Sequence, residues 1–284
     1  MRGALDRIRH SSRLRPLRLL HSRDVRIGEW LVGADKPGKS RFREAMERWY
    51  FRRSLEAFLA DIVKPGELVF DIGANVGEWT VVLRSLGCSV VAIEPQRECI
   101  AALEARFAGD RRVTVLPAAV AAQEGEIELY RAPGSSTHAT ASRRWMETTE
   151  TLPHDHWEAV PEIVPAITLD RLIRDYGLPS YCKIDVEGLE PEALQGLSSP
   201  VPLIEFEFHK ELDDDLRRCL DRLTALGPYT FNLTFGARPQ LQLADWVPPG
   251  EILRVVRNPL SPNWGNVIGR IDPVAGGLAQ SEEP

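Results

Sequence analysis

Apolar positions set the first expectations. Between Arg41 and about Val63 they recur every three or four residues, at Phe42, Met46, Trp49, Tyr50, Leu55, Phe58, Leu59 and Ile62. That period predicts an amphipathic helix, which Pro65-Gly66 stops. Short apolar runs then alternate with helical patterns. Strands are predicted at Leu68–Ile72, Ser89–Ile93, Arg112–Leu116, Tyr181–Ile184 and Leu203–Phe208, with Tyr229–Leu233 and Asn266–Ile271 closing the series. Helices are predicted at Val76–Leu86, Arg97–Phe107, Glu190–Gln195 and a final one at about Asp214–Leu226. Glu126–Tyr130, after Gly125, reads as an antiparallel strand. The alternation implies β-α-β units with right-handed crossovers, hence an α/β fold with a mostly parallel sheet and helices on both faces.

Two stretches break the rhythm. Residues 1–40 are rich in Arg and punctuated by Pro16, Gly28, Gly33, Pro37 and Gly38, so they are expected to be irregular or partly disordered. Residues 131–166 hold Pro133, Gly134, Ser135, Ser136, two Trp and His138, His154 and His156. So long an interruption inside a compact domain is usually a functional loop, and Ser135 to Pro165 is expected to act as a lid or acceptor-binding segment. The resulting plan is an extension (1–40), a helix packing on the core (41–66), the main domain (67–272) and a disordered tail (273–284). No internal repeat interrupts it.

Charge sharpens this plan. The net charge is −6, yet residues 1–53 hold 15 Lys/Arg against 6 Asp/Glu, a local +9 that leaves −15 for the rest. Such a basic arm could meet an anionic lipid, a nucleotide-linked substrate or nucleic acid, or simply aid solubility. Residues 1–23 contain no aromatic residue, so no nucleic-acid partner is expected. No apolar run reaches the roughly 20 residues of a membrane helix. The four cysteines, Cys88, Cys99, Cys182 and Cys219, form no C-x-x-C pair and no metal-ligand spacing with His, which fits reduced thiols in a cytoplasmic protein.

Four segments carry the chemistry. Val69-Phe-Asp71-Ile-Gly73-Ala74-Asn75-Val-Gly77 runs from a strand through a tight glycine loop into a helix. In a doubly wound sheet the first such turn lies in the ligand crevice. Its Asp-x-Gly-x-Asn-x-Gly spacing differs from the dinucleotide fingerprint, so a ligand without a pyrophosphate fits better. Glu94, before Pro95 and 23 residues after Asp71, ends the next strand, where an acid can grip ribose hydroxyls. Lys183-Ile-Asp185-Val-Glu187-Gly188 places acids at a third strand end. Asp185 and Glu187 could meet a ligand amino group, a substrate hydroxyl or a metal, and no metal ligand set is fixed. In Leu203-Ile-Glu205-Phe-Glu207-Phe-His209 strand alternation puts Glu205, Glu207 and His209 on one face. A neutral His209 oriented by Glu207 suits a general base, whereas the plainer reading is a polar strand face under a loop.

Phe70-Asp-Ile-Gly-Ala-Asn-Val-Gly-Glu-Trp-Thr80, Ile93-Glu-Pro95, Gly134-Ser-Ser136, Thr168-Leu-Asp170 and Lys183-Ile-Asp-Val-Glu-Gly188 together resemble the FkbM-type methyltransferase family. The resemblance covers about Val69 to Phe208. It implies a Rossmann-like class I methyltransferase fold with a seven-stranded sheet in the order 3-2-1-4-5-7-6, and S-adenosylmethionine as cofactor. Asp71, Gly73, Ala74, Asn75, Gly77 and Asp185 would then line the cofactor site, and Glu94 would hold its ribose. His209, Asp185, Glu187 and Glu207 are the candidates for the chemical step. Members mostly methylate hydroxyls of sugars, glycolipids or polyketide-type products, so a small-molecule or glycan acceptor is expected. Residues 1–66 and 137–165 are individual to this chain.

Other classes fit less well. The glycine spacing argues against a nicotinamide oxidoreductase, and the acids at three strand ends argue against a non-catalytic partner protein. The Asn/Asp-Pro-Pro-Tyr loop common in amino-group methylation is replaced by Asp185-Val-Glu-Gly188.

Overall fold

The computed structural model describes residues 41–131, 139–149 and 160–271. Along the chain it holds α1 (Arg41–Ala60), β1 (Leu68–Ile72), α2 (Glu78–Ser85), β2 (Ser89–Ile93), α3 (Arg97–Arg106) and β3 (Val113–Leu116). Next come β4 (Ala119–Val120), β5 (Gly125–Arg131), β6 (Ala139–Thr140), α4 (Arg143–Thr149), β7 (Glu162–Ile167) and α5 (Leu169–Tyr176). The chain continues through β8 (Tyr181–Ile184), α6 (Glu190–Gln195), β9 (Leu203–His209), α7 (Asp213–Leu226), β10 (Tyr229–Phe235), α8 (Pro249–Val256) and β11 (Trp264–Ile271).

Seven strands form the main sheet in the order β3-β2-β1-β8-β9-β11-β10. β3, β2, β1, β8 and β9 are parallel, and β11 runs antiparallel to both of its neighbours. Counted along the chain within this sheet, the order is 3-2-1-4-5-7-6, as the resemblance implies. The fold is therefore Rossmann-like.

Both faces of the sheet are covered, which is why its strands read as short continuous apolar runs. Leu55 and Leu59 of α1 and Leu83 of α2 pack on Val69, Val90 and Tyr181. Leu194, Leu216, Leu220 and Ile252 from α6, α7 and α8 pack on Phe70, Ile184 and Phe206 on the other face. Each fully buried side chain of this kind contributes about 1.5–3 kcal/mol. Burial of Leu55 and Leu59 makes α1 part of the core, while Met46, Trp49 and Tyr50 in its first half stay exposed.

The structure corrects the expected layout in three places. The stretch 131–166 is not one irregular loop: β6, α4 and most of β7 lie in it, and β4, β7, β5 and β6 build a second, four-stranded sheet. Pro165 had hidden β7. It pairs with Glu126 of β5 on one side, while on the other β4 reaches only Ala166 and Ile167 and asks nothing of a proline N–H. The helix over Leu169–Tyr176 was also missed; the Thr168 hydroxyl caps it by accepting from the Arg171 N–H at 3.1 Å. Finally, α7 is not the last helix. α8 follows, with Pro249 in its first turn, where a missing N–H costs no bond.

Candidate functional site

The strand order reverses at β1. The chain crosses to β2 and β3 on one side and returns to β8 and β9 on the other, which opens a crevice at the carboxyl ends of β1 and β8. The loop after β1 is shaped by three left-handed residues, Gly73 (φ 75°), Asn75 (φ 49°) and Gly77 (φ 84°). Gly73 has no room for a side chain: a Cβ would fall 1.7 Å from the Asp185 carbonyl oxygen. The Gly73 and Ala74 N–H groups donate to the Ile93 carbonyl at 2.9 and 3.0 Å, binding the loop to the end of β2. Ala74 is buried beneath it, beside Ala92 and Leu103.

Glu94 stands at that end of β2. One carboxylate oxygen accepts the Asn75 N–H at 2.8 Å and the other the Gln96 N–H at 2.9 Å. The Gln96 side chain also hydrogen-bonds this carboxylate, so its orientation is fixed while an acceptor site remains for a diol. Burial raises the Glu94 pKa, against the two backbone donors that lower it. A ribose-bearing cofactor thus fits the residues present.

Behind the loop lies a charged row. Asp71 on β1, Lys183 on β8 and Glu205 on β9 are register partners on three adjacent strands. All three are buried, with Lys183 only 3% exposed. One Asp71 oxygen accepts from the Thr80 hydroxyl at 2.6 Å, and the other has no hydrogen-bond partner. Glu205 accepts from the Tyr181 hydroxyl at 2.7 Å. The Lys183 ammonium donates to Asp185 at 2.8 Å and lies 5.0 Å from the centre of the Trp79 ring. Burial works against its charge, but Asp185 and Asp71 outweigh that and hold its pKa above the usual lysine range. Burial pushes Glu205 up to about 7, although Tyr181 and Lys183 pull the other way.

The loop after β8 brings a second group of acids. Glu187 adopts a left-handed φ of 52°, uncommon for a residue with a side chain. The Thr140 hydroxyl donates to its carbonyl at 2.6 Å. Glu190 accepts the Val186 and Gly188 N–H groups at 3.0 Å each and so clasps the loop from below. Glu207 and His209 extend from β9 toward it, with Oε2 and Nε2 3.1 Å apart. Burial, then the Glu207 charge, carries the Glu187 pKa well above the carboxylate range, and the same causes put Glu190 at about 8. Burial lowers the His209 pKa, but Glu207 more than offsets it and the net shift is upward.

Trp145 of α4 covers this group. Its ring meets His209 edge-on with centroids 4.2 Å apart, and a Cβ on Gly188 would lie 2.8 Å from its own Cβ. Arg144 beside it pairs with Asp215 of α7 at 2.9 Å.

The crevice therefore gathers Gly73, Ala74, Asn75, Gly77 and Glu94 in one wall, and Asp185, Glu187, Glu207 and His209 along the same sheet edge. Asp71 is set behind the loop, on Thr80. Glu205 shares the strand face of Glu207 but is turned to Tyr181, apart from the cluster. Gly134, Ser135, Ser136, His138, His154, His156 and Trp157 lie outside the described residues. Lys183 and Trp145 were not recognised from the sequence. Lys183 was legible as a register partner, since Asp71 and Lys183 both stand next to last in paired parallel strands. Trp145 carried no signal beyond its place in the long interruption. No helix among the described residues is long and apolar enough to cross a membrane.

A family model, the methyltransferase FkbM domain, matches residues 71–227. No curated protein matches the chain. Among solved structures it is similar to precorrin-6y C5,15-methyltransferase from Geobacter metallireducens (TM-score 0.41, 10% identity, 84% of this chain and 97% of that one). It is also similar to a SAM-dependent O-methyltransferase from Thermotoga maritima (0.38, 11%, 87% and 71%). A third is a ribosomal protein L11 methylase from Lactobacillus delbrueckii subsp. bulgaricus (0.39, 12%, 81% and 80%).

Proposed function

The chain belongs to the FkbM methyltransferase family, and from that premise we propose that it transfers a methyl group from S-adenosylmethionine to a hydroxyl oxygen of a sugar, glycolipid or secondary-metabolite acceptor. One observation carries this reading. A loop and acid suited to a nucleoside, Gly73–Gly77 with Glu94, share a sheet edge with the proton-accepting cluster of Asp185, Glu187, Glu207 and His209.

In this reading Glu94 accepts from the ribose hydroxyls, and the loop of Gly73, Ala74, Asn75 and Gly77 lines the cofactor. S-adenosylmethionine, when bound, supplies a methyl on a cationic sulfur, whose electron pair stays with the sulfur as the methyl leaves. The chain's part is to align the acceptor oxygen and to take its proton. The proton goes to His209 or to a carboxylate of the same cluster. Asp185 is held by Lys183, so it orients rather than moves. Segment 135–165 acts as the lid, and among its described residues α4 sets Trp145 over His209.

The test is to incubate the chain with methyl-labelled cofactor and a panel of glycosides, glycolipids and polyols carrying both hydroxyl and amino groups. Label on oxygen, located by mass spectrometry and NMR, supports the reading. Label on nitrogen alone overturns it.

A further inference from the structure

We infer that Glu187, Glu207 and His209 form a binding site for a divalent first-row cation such as Mn²⁺ or Zn²⁺. Their ligand atoms all lie within 4.8 Å of one another. The geometry follows from the sheet. Glu207 and His209 are two residues apart on β9 and so share a face, an arrangement that lets one strand chelate an ion. β8 is the parallel neighbour of β9, and the loop that leaves it delivers Glu187 to the same place.

Ligands about 2.0–2.2 Å from a common ion and at right angles to each other stand roughly 3 Å apart. The Glu207–His209 edge, at 3.1 Å, already has that length. The His209 Nε2 atom is buried and no hydrogen bond closes on it, although Glu207 Oε2 stands 3.1 Å away. A nitrogen in that position is suited to giving its lone pair to a metal.

Charge points the same way. In the forms in which they ligate, two carboxylates and a neutral imidazole balance a divalent ion, and the Asp185 carboxylate, paired with Lys183, stands nearby. One nitrogen and two carboxylates favour Mn²⁺ or Zn²⁺ over Ca²⁺, which prefers oxygen throughout. The supporting shell is in place: Thr140 and Glu190 fix the loop that carries Glu187, and Trp145 and Trp264 flank the His209 ring. Three protein ligands leave further positions open, and a hydroxyl placed there would be acidified. Only this last role rests on the hydroxyl reading; the site itself does not.

The test uses the full chain, stripped with a chelator and titrated with MnCl₂ while the free-ion paramagnetic resonance signal is followed. We expect one saturable site per chain, displaced by Zn²⁺ and weakened about tenfold or more in both Glu187→Gln and Glu207→Gln. S-adenosylhomocysteine affinity should change by less than about twofold in those variants. Because a variant can misfold, a second measurement uses the unaltered protein: Mn²⁺ should broaden the imidazole NMR signals of one histidine, which the His209→Asn spectrum identifies as His209. No saturable Mn²⁺ binding, binding that survives both substitutions, or broadening of another histidine instead would overturn the site. Methylation of a hydroxyl that persists in the chelated, metal-free protein would leave the proposed function standing and remove the cation from it.

Discussion

Gly73 and Asp185 touch through their backbones: a Cβ on Gly73 would lie 1.7 Å from the Asp185 carbonyl oxygen. The contact ties the loop after β1 to the loop after β8, so the cofactor wall and the acidic cluster are held in one geometry. Gly73→Ala meets that backbone and must also hold a left-handed φ of 75°. The left-handed conformation alone costs an alanine about 1–2 kcal/mol, and relief of the collision moves both loops. We expect a melting temperature lower by about 4 °C or more and S-adenosylhomocysteine binding weakened about tenfold or more by calorimetry. Wild-type values in both would mean that the crevice is more plastic than this contact implies.

Glu94 offers a sharper test of the cofactor site. Its oxygens accept from Asn75 and Gln96, so Glu94→Gln turns an amide NH₂ against one of those N–H groups while keeping the volume. A charge-assisted contact to ribose is lost as well, worth about 1.5–3 kcal/mol. S-adenosylhomocysteine should bind roughly 10–100-fold more weakly. Unchanged affinity in a folded Glu94→Gln protein would remove Glu94 from the ribose site.

How much of this could be read from the chain alone differs by element. β1, β2, β8 and β9 were legible because helices cover both faces and force unbroken apolar runs such as Leu68-Val-Phe70. β7 was not, because Pro165 breaks the strand pattern, and it is accommodated only where the short β4 ends its pairing at Ala166. Glu94, Glu207 and His209 were legible because acids or histidine at the tips of parallel strands must share an edge. Lys183 was legible only through strand register: a lysine inside an apolar run reads as an anomaly until Asp71 and Glu205 are set beside it. The shelter of His209 by Trp145 depends on α4 folding back across the sheet, which no local period encodes.

Glu205 gives the protein a stability that depends on pH. Its pKa is raised by burial to about 7 from 4.5. An acid whose folded pKa is raised favours folding fully below its unfolded pKa, and the contribution is lost as pH climbs from about 4.5 through 7. The loss is on the order of 3 kcal/mol. Glu205→Gln can still accept from Tyr181 and has no charge to desolvate. The variant should gain stability relative to the parent as pH rises from 5 to 8, measured by urea unfolding at each pH. A difference that does not change with pH would mean that Glu205 stays ionised in the fold, held by Lys183.

Lid behaviour should be visible in hydrogen exchange. Trp145, Arg144 and Thr140 anchor α4 and β6 to His209, Asp215 and the Glu187 carbonyl. Opening this segment exposes the acidic cluster, and ligand occupancy should hold it shut. Amides of 139–149 should exchange more slowly with S-adenosylhomocysteine and acceptor bound than in the free protein. Equal exchange in all states would make the segment a fixed wall.

His209 is the residue on which the chemical step turns. Its deprotonated form is required whether the imidazole takes the acceptor proton or holds a cation beside it. Burial disfavours the imidazolium, but Glu207 at 3.1 Å favours it more, and the pKa is raised above 6.5. The rate should therefore increase with pH and level off at a midpoint above 6.5. In His209→Ala, kcat should fall by about 10²–10⁴-fold, the range for a lost proton acceptor, and the rise with pH should vanish with it. S-adenosylhomocysteine affinity should stay within about twofold of the parent, because His209 lies on β9 and the cofactor wall on β1 and β2. Asp185→Asn and Glu187→Gln separate the alternatives. If they abolish turnover while His209→Ala retains it, the proton goes to a carboxylate and His209 is only packed beneath Trp145. If all three variants keep full turnover, alignment alone drives transfer and the charged edge of β8 and β9 serves the fold.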